Sequence, residues 1–269
     1  MEDSDIAIVW IMGLVVTCLC LIAQVLFILR PNTRNLDQQI LSQFCLSRLI
    51  NSITEIYVYR NVTGPIISWL QLVFVSLWFL SDVVSLSWMF VYVNNLHKEF
   101  VPIPVIDTKK WSFLKLCKVI WLLPVVATST FYMLSPLFRF GVSFAVLYIL
   151  TKCGLIGANI VFFCKIFYVF IKSKIGDDEV YTISKHYNSY VSLSTVNISI
   201  VSFILFCMTC VHSNLMLSLI QIFEVLNVGH VKTIYSFLCA SSAYQGIAVT
   251  YIFLILAKRV DYDMFMSQS

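Results

Sequence analysis

Five ionisable residues interrupt otherwise apolar segments, and they are the side chains of this sequence best placed for chemistry: Arg48, Glu55, Asp82, Lys152 and Lys165. A charge in such a segment is costly unless it pairs with an opposite charge or faces water. Because a helix rises about 1.5 Å per residue, Arg48 and Asp82 lie at similar depths in their segments. We predict that they form a buried ion pair or a water-linked network; in the alternative, backbone and water solvate each charge separately.

Catalytic and cofactor signatures are absent from the sequence. There is no Gly-rich phosphate loop, no His-Glu-x-x-His and no Gly-x-Ser-x-Gly. The histidines at 97, 186, 212 and 230 are isolated from one another and from carboxylates at metal-ligand spacing. The nine cysteines lie within apolar runs, where we expect small buried hydrophobes rather than disulfides. We therefore expect no enzyme activity, no metal and no cofactor.

The elements that position these charges follow from the composition. The 269 residues are 59% hydrophobic and 12% charged, with a mean hydropathy of +0.88, so the solvent for most of the chain must be lipid. A helix needs roughly 20 mostly apolar residues to cross a bilayer. We predict an all-α membrane protein, a single seven-helix transmembrane domain over residues 1–269. The predicted spans are approximately 6–29, 40–59, 66–93, 112–134, 141–171, 191–220 and 233–257.

Orientation follows from the distribution of Lys and Arg, which are enriched in cytoplasmic loops. Three acidic residues precede the first span, and basic residues follow it directly. In alternating order, the loops assigned outside hold only Arg60, Arg139 and Lys232, whereas the inside loops hold most of the others. We therefore predict a multi-pass plasma-membrane protein with its amino terminus outside and its carboxyl terminus inside. The modest net charge of +4 is scattered between spans, which argues against nucleic-acid binding.

Two polar faces are candidates for binding. The outer halves of the helices mix aromatic and polar side chains, as small-molecule sites do, and the candidate ligand contacts are Glu55, Gln71, Trp78, Asp82, Lys152, Tyr244 and Gln245. The inner face carries Asn94, His97, Lys98, Lys172, Lys174 and Lys185. This basic face suits a cytoplasmic partner, but it equally suits contact with anionic membrane lipid.

A sequon at Asn61-Val62-Thr63 falls in the first predicted outside loop. Its closeness to the membrane makes a chance match as good an interpretation as glycosylation of Asn61, so it adds little to the predicted orientation.

Residues 38–48, QQILSQFCLSR, resemble the start of the second helix in bitter taste (type 2 taste) receptors. Arg48 matches the family's helix-two arginine, while Thr17 and Gln24 stand where the family usually has asparagines. Residues 90–96, FVYVNNL, are similar to the family's helix-three ending, with Asn95 matching. The resemblance is specific over residues 13–50, moderate over 78–98 and loose beyond about 110. The seventh helix lacks the family's His-Ser and its proline.

The resemblance implies a divergent chemosensory G-protein-coupled receptor. A small molecule would enter an outer cavity between helices three, five, six and seven and stabilise a state that admits a heterotrimeric G protein. Arg48, Asp82 and Asn95 would serve structure and activation. Type 1 vomeronasal receptors, which share the overall plan, are the second interpretation. A different class, a small multi-pass transporter, would use Arg48, Asp82, Lys152 and Lys165 to line a polar path.

Overall fold

The structure is a computed structural model that describes residues 3–29, 36–61, 69–100, 113–134, 140–175, 196–211 and 245–268. Each of these ranges is helical, and no strand occurs within them. The helices are α1 Asp3–Ile28, α2 Leu36–Asn61, α3 Trp69–Phe100, α4 Phe113–Leu134, α5 Phe140–Ile175, α6 Val196–Val211 and α7 Gln245–Gln268.

Each described helix contacts the next along the chain, and α7 returns to α1. Helices α1 to α5 pack in sequence, while α7 packs against both α1 and α2. Phe163 and Phe203 join α5 to α6 through an edge-to-face contact with ring centroids 5.2 Å apart. The Thr209 hydroxyl of α6 donates to the Gln245 side-chain oxygen of α7 over 3.5 Å. The described helices therefore form a closed series of neighbours.

Helix α3 lies at the centre of this arrangement, because it packs against α2, α4 and α5. About half of its segment Val73–Lys98 is buried, and Trp88, Met89, Tyr92 and Val93 are all in the core. A helix that is apolar all round is typical of the interior of a large bundle. Any charge on α3 is therefore forced to find its partners on neighbouring helices.

Helix α5 presents one narrow stripe to this centre. Tyr148, Lys152, Asn159, Phe163 and Ile166 are buried, and their spacing of three, four or seven residues places them on one face. The Asn159 amide donates to the Leu86 carbonyl of α3 over 3.4 Å. The same stripe thus supplies both core packing and the polar contacts between α5 and α3.

The outward faces of the described helices are apolar. Large side chains such as Ile8, Leu26, Leu123, Leu150 and Leu254 are more than half exposed. Two described segments, Val73–Lys98 and Val146–Val169, are long and apolar enough to cross a membrane. Shorter apolar helical stretches occupy Ile11–Leu26, Val196–Val211 and Gln245–Leu256. An apolar exterior of this extent is unfavourable in water.

Helices α1 and α7 approach closely at Gly246. A Cβ atom at this glycine would lie 2.8 Å from the Thr17 hydroxyl oxygen and 3.0 Å from the Thr17 Cα. One turn further along α7, the Thr250 hydroxyl accepts a hydrogen bond of 2.9 Å from the Gln24 amide. The two polar residues of the first span, Thr17 and Gln24, therefore both serve the contact with α7.

Several helices extend beyond the predicted spans. Helix α3 continues to Phe100 rather than ending near residue 93, and α7 continues to Gln268 rather than ending near 257. The predicted limits followed the first charged or polar cluster, which ends hydrocarbon burial but does not end a helix. Parts of the sixth and seventh predicted spans, 191–195, 212–220 and 233–244, lie outside the described residues.

The prediction that the cysteines are buried hydrophobes is confirmed for Cys45 and is wrong for Cys153 and Cys164, which are exposed on the outer face of α5. An apolar run places a residue in a span but does not say which way it faces. All eight cysteines with described side chains are free.

Candidate functional site

A buried polar cluster centred on Asp82 joins three helices. One oxygen of its carboxylate, Oδ1, lies 3.7 Å from Nη1 of Arg48 on α2. The other, Oδ2, lies 3.5 Å from Nζ of Lys152 on α5 and accepts a 2.6 Å hydrogen bond from the Tyr148 hydroxyl. Asp82, Arg48 and Lys152 are each only 2% exposed. The predicted contact between Arg48 and Asp82 is therefore present, and it is part of a larger group.

The local sequence fixes the orientation of the two helices that meet here. Asn51, one turn after Arg48 on α2, donates through its amide to the Trp78 carbonyl and to the Ser81 hydroxyl, both over 3.2 Å. Ser81 in turn donates to the Trp78 carbonyl over 2.9 Å. Because Trp78 lies one turn before Asp82 and Ser81 lies directly before it, these hydrogen bonds hold this part of α3 against α2.

The centre of the cluster holds two positive charges and one negative charge. Two cations converge on the single carboxylate of Asp82, and Lys152 also lies 5.4 Å from the centroid of the Tyr148 ring. Charges interact strongly in a low-dielectric interior, and removing one partner of a buried pair leaves the other uncompensated. Asp82 is thus the one group of the cluster whose loss would leave two like charges facing each other.

The predicted ligand contacts are dispersed. Asp82 and Lys152 meet in the cluster, while Glu55 is buried two turns beyond Arg48 on α2. Trp78 is buried one turn before Asp82 and packs beside Phe79.

Gln245 is buried at the start of α7, where it accepts the hydrogen bond from Thr209. Gln71 belongs to α3, but its side chain lies outside the described part, as does Tyr244 altogether. The predicted outer site stays a prediction.

Asn95 joins α2 and α3 near the predicted inner face. Its amide donates to an Asp37 carboxylate oxygen over 3.2 Å, and Asp37 lies in the first turn of α2. A negative charge there is favourable for the helix dipole. Asn94 is half-buried one residue earlier. This contact ties the starting turn of α2 to the last turns of α3.

The other inner-face residues separate into two groups. His97 is buried against the Phe162 ring, with centroids 5.3 Å apart, whereas Lys98 is exposed. Lys172 and Lys174 belong to α5 and Asn61 ends α2, but their side chains lie outside the description, and so does the whole of Lys185. Their predicted roles in partner binding and glycosylation stay predictions.

A cavity of about 350 Å³ opens sideways between α3, α4 and α5. Its lining is mainly apolar and includes Phe79, Val83, Ile120, Pro124, Leu147 and Tyr148. Tyr148 is shared, because its ring lines this cavity while its hydroxyl reaches Asp82. Glu55, Trp78, Lys152 and Gln245 are not part of the lining.

Tyr148 and Asn51 are the members of the site that sequence reasoning missed. Tyr148 lies four residues before Lys152, so the two share one helical face, and Asn51 stands three residues after Arg48 in the same way. The sequence signal that could have identified both residues is a polar or aromatic side chain one helical turn from a charge in an apolar segment.

Among the described side chains, no group of three or more His, Cys, Asp or Glu is arranged to hold a metal ion. No family model matches this chain, and no curated protein matches it. The resemblance to bitter taste receptors therefore depends on the residues quoted for it.

Proposed function

We propose that this chain is a seven-helix, multi-pass receptor of the plasma membrane that binds a small molecule and activates a heterotrimeric G protein. Its amino terminus is outside and its carboxyl terminus inside. The resemblance at residues 38–48 and 90–96 points to the bitter taste receptors, with the type 1 vomeronasal receptors second. The protein is a receptor rather than an enzyme in this proposal.

The observation that carries the proposal is the Asp82 cluster. It joins α2, α3 and α5 through one carboxylate, and its three charged residues are each 2% exposed. A switch between two receptor states needs contacts that differ between those states. A carboxylate shared by two cations and a hydroxyl can redistribute among its partners when α5 moves relative to α3.

Ligand binding in the outer half is the proposed input, and the inner face of α2 and α3 is the proposed output. Asp82 lies between Trp78, on the outer side, and the contact of Asn95 with Asp37, on the inner side. A small molecule that displaces α5 would change the distance from Lys152 to Asp82 first. The ends of α2 and α3 would then respond through the hydrogen bonds of Asn51.

The test is a calcium response in cells that express the chain with a promiscuous G protein, challenged with a panel of bitter compounds. We expect a dose-dependent response that Asp82→Ala abolishes when variant and wild type are compared at equal surface expression. Lys152→Met should shift the response, whereas Lys165→Met, which removes an exposed lysine of the same helix, should not. Silence of wild-type protein at the cell surface would contradict the taste-receptor proposal and direct the screen to pheromone-like ligands.

A transporter is the alternative from a different class. In that case the same charges would line a polar path, as intramembrane charges of transporters do. The convergence of Arg48 and Lys152 on one buried carboxylate favours the receptor, because both cations already have a partner within the protein. Solute flux in vesicles that contain the purified chain, without any G protein, would reverse this preference.

A further inference from the structure

The cavity between α3, α4 and α5 differs from the proposed ligand site in position and in chemistry. Its rim residues Val119, Leu123 and Leu147 are exposed on the outer surface, whereas Ile120 and Tyr148 form its buried floor. Its lining residues on α3 and α5 belong to the two described segments that are apolar enough to cross a membrane. A molecule reaches this cavity from the surrounding hydrocarbon.

The lining selects for a neutral occupant. Tyr148 is its only ionisable residue among those described, and the Tyr148 hydroxyl already donates to Asp82. A charged molecule would lose its solvation here without gaining a counter-charge. The volume of about 350 Å³ is at the lower end for small-molecule sites, which fits a compact molecule rather than a phospholipid.

Pro124 adds one specific polar feature. Proline has no backbone N–H, so it cannot donate to the carbonyl four residues earlier, that of Ile120. Ile120 and Pro124 both line the cavity, one helical turn apart. The cavity hydroxyls of Ser87 and Thr151 already donate to carbonyls of their own helices, over 2.8 and 2.9 Å. The wall therefore offers hydrogen-bond acceptors.

We propose that this cavity binds a neutral, mainly hydrocarbon molecule with a single hydroxyl, of the size of a cyclic terpene alcohol, which enters from the lipid and donates its hydroxyl proton to the Ile120 carbonyl. Its rings pack against Phe79 and Tyr148, whose own rings lie 4.5 Å apart between centroids. The proposal does not depend on receptor function, since it concerns binding alone.

The experiment uses the purified full-length chain in lipid nanodiscs, photolabelled with a diazirine-bearing cyclic terpene alcohol and competed with the unlabelled alcohol or its methyl ether. We expect label on peptides of α3, α4 and α5, and competition by the alcohol that is about fivefold stronger than by the ether. Label spread evenly over all lipid-facing helices would overturn the proposal.

Two kinds of variant sharpen the test. Leu147→Trp fills the cavity and should lower labelling about tenfold, which corresponds to a loss of about 1.4 kcal/mol of binding free energy. Leu150→Trp, on the same helix but outside the lining, is its matched control. Val119→Trp fills the cavity from α4 if Leu147→Trp does not fold. Unchanged labelling in both filling variants would refute the site.

Pro124→Ala tests the hydroxyl contact, because it restores the helical hydrogen bond to the Ile120 carbonyl. Its melting temperature is measured beside that of wild type, because the proline ring also lines the cavity. The variant should bind the alcohol and the ether equally. A preference for the alcohol that persists in Pro124→Ala would exclude the Ile120 carbonyl as the acceptor.

Discussion

The Tyr148 hydroxyl donates a 2.6 Å hydrogen bond to Asp82, and the ring of the same tyrosine forms the floor of the lipid-facing cavity. One side chain thus belongs to both the charged centre and the apolar surface of α5. Its hydroxyl helps to balance the carboxylate, while its ring shields the cluster from lipid. The strength of this contact can be measured directly.

Tyr148→Phe should lower the melting temperature of the detergent-purified protein. The change keeps the ring and removes a hydrogen bond to a charged group, which contributes about 1.5–3 kcal/mol. Phe79→Leu, which alters the neighbouring ring without touching Asp82, should have a smaller effect. Equal melting temperatures of wild type and Tyr148→Phe would show that the hydroxyl contact adds nothing.

The three charged members of the cluster should differ in their tolerance to substitution. Asp82→Asn leaves Arg48 and Lys152 facing each other, whereas Arg48→Met or Lys152→Met leaves one cation paired with the carboxylate. Breaking a buried pair costs about 3–5 kcal/mol, and losing the carboxylate that two cations share should cost more than losing one cation. Surface staining should therefore be lowest for Asp82→Asn.

Adding Lys152→Met to Asp82→Asn should recover part of the lost surface staining, because it removes one of the two like charges. The equivalent pair of changes with Lys165→Met should recover none, since Lys165 is exposed on α5. Recovery with neither or with both lysine variants would contradict the charge assignment.

Gly246→Ala should destabilise the contact between α1 and α7. The added Cβ would meet the Thr17 side chain at 2.8 Å and its Cα at 3.0 Å, so the helices must separate. Overpacking of this kind costs about 1–3 kcal/mol. Thermal unfolding in detergent measures the loss, and Thr17→Ala should relieve only part of it because the backbone atom remains.

Gly154→Ala and Gly157→Ala are the matched controls for this change. A Cβ at either glycine of α5 meets nothing within 4 Å. Alanine is the better helix former by roughly 0.5–1 kcal/mol, so both variants should be as stable as wild type or slightly more stable. A loss equal to that of Gly246→Ala would mean that close packing is not the cause.

Asn51→Leu should weaken the attachment of α2 to α3. It removes two hydrogen bonds between helices, to the Trp78 carbonyl and to Ser81, and each is worth about 0.5–1.5 kcal/mol. Thr54→Val removes only bonds within α2, to the Ile50 and Asn51 carbonyls, and should cost less. Thermal unfolding of the purified protein in detergent measures the difference.

The features that could be predicted from the sequence are those set by a single apolar segment or by the depth of a residue within its segment. The order of apolar segments matched the described helices, and similar depth was enough to bring Arg48 and Asp82 together. Lys152 was assigned to an outer ligand site instead, because depth in one span does not give the rotation of that helix. The close approach at Gly246 required the relative position of two helices distant in sequence.

The cavity was beyond sequence reasoning for the same reason. Pro124 stands inside the fourth apolar segment, but its consequence depends on Ile120 and on the helices beside it. Tyr148 resembles any other aromatic packing residue until its position opposite Asp82 is known. Which face of its helix a residue occupies, and which residues surround it, become known only when the positions of all three helices are known.

The partners of Asp82 also differ in when they are synthesised. Arg48 precedes it along the chain, whereas Tyr148 follows 66 residues later, with Lys152 one turn beyond. During translation, Asp82 and Arg48 are therefore both available before α5 leaves the ribosome, and together they carry no net charge. Lys152 adds a second positive charge later, so it can be buried only in a cluster whose carboxylate is already present.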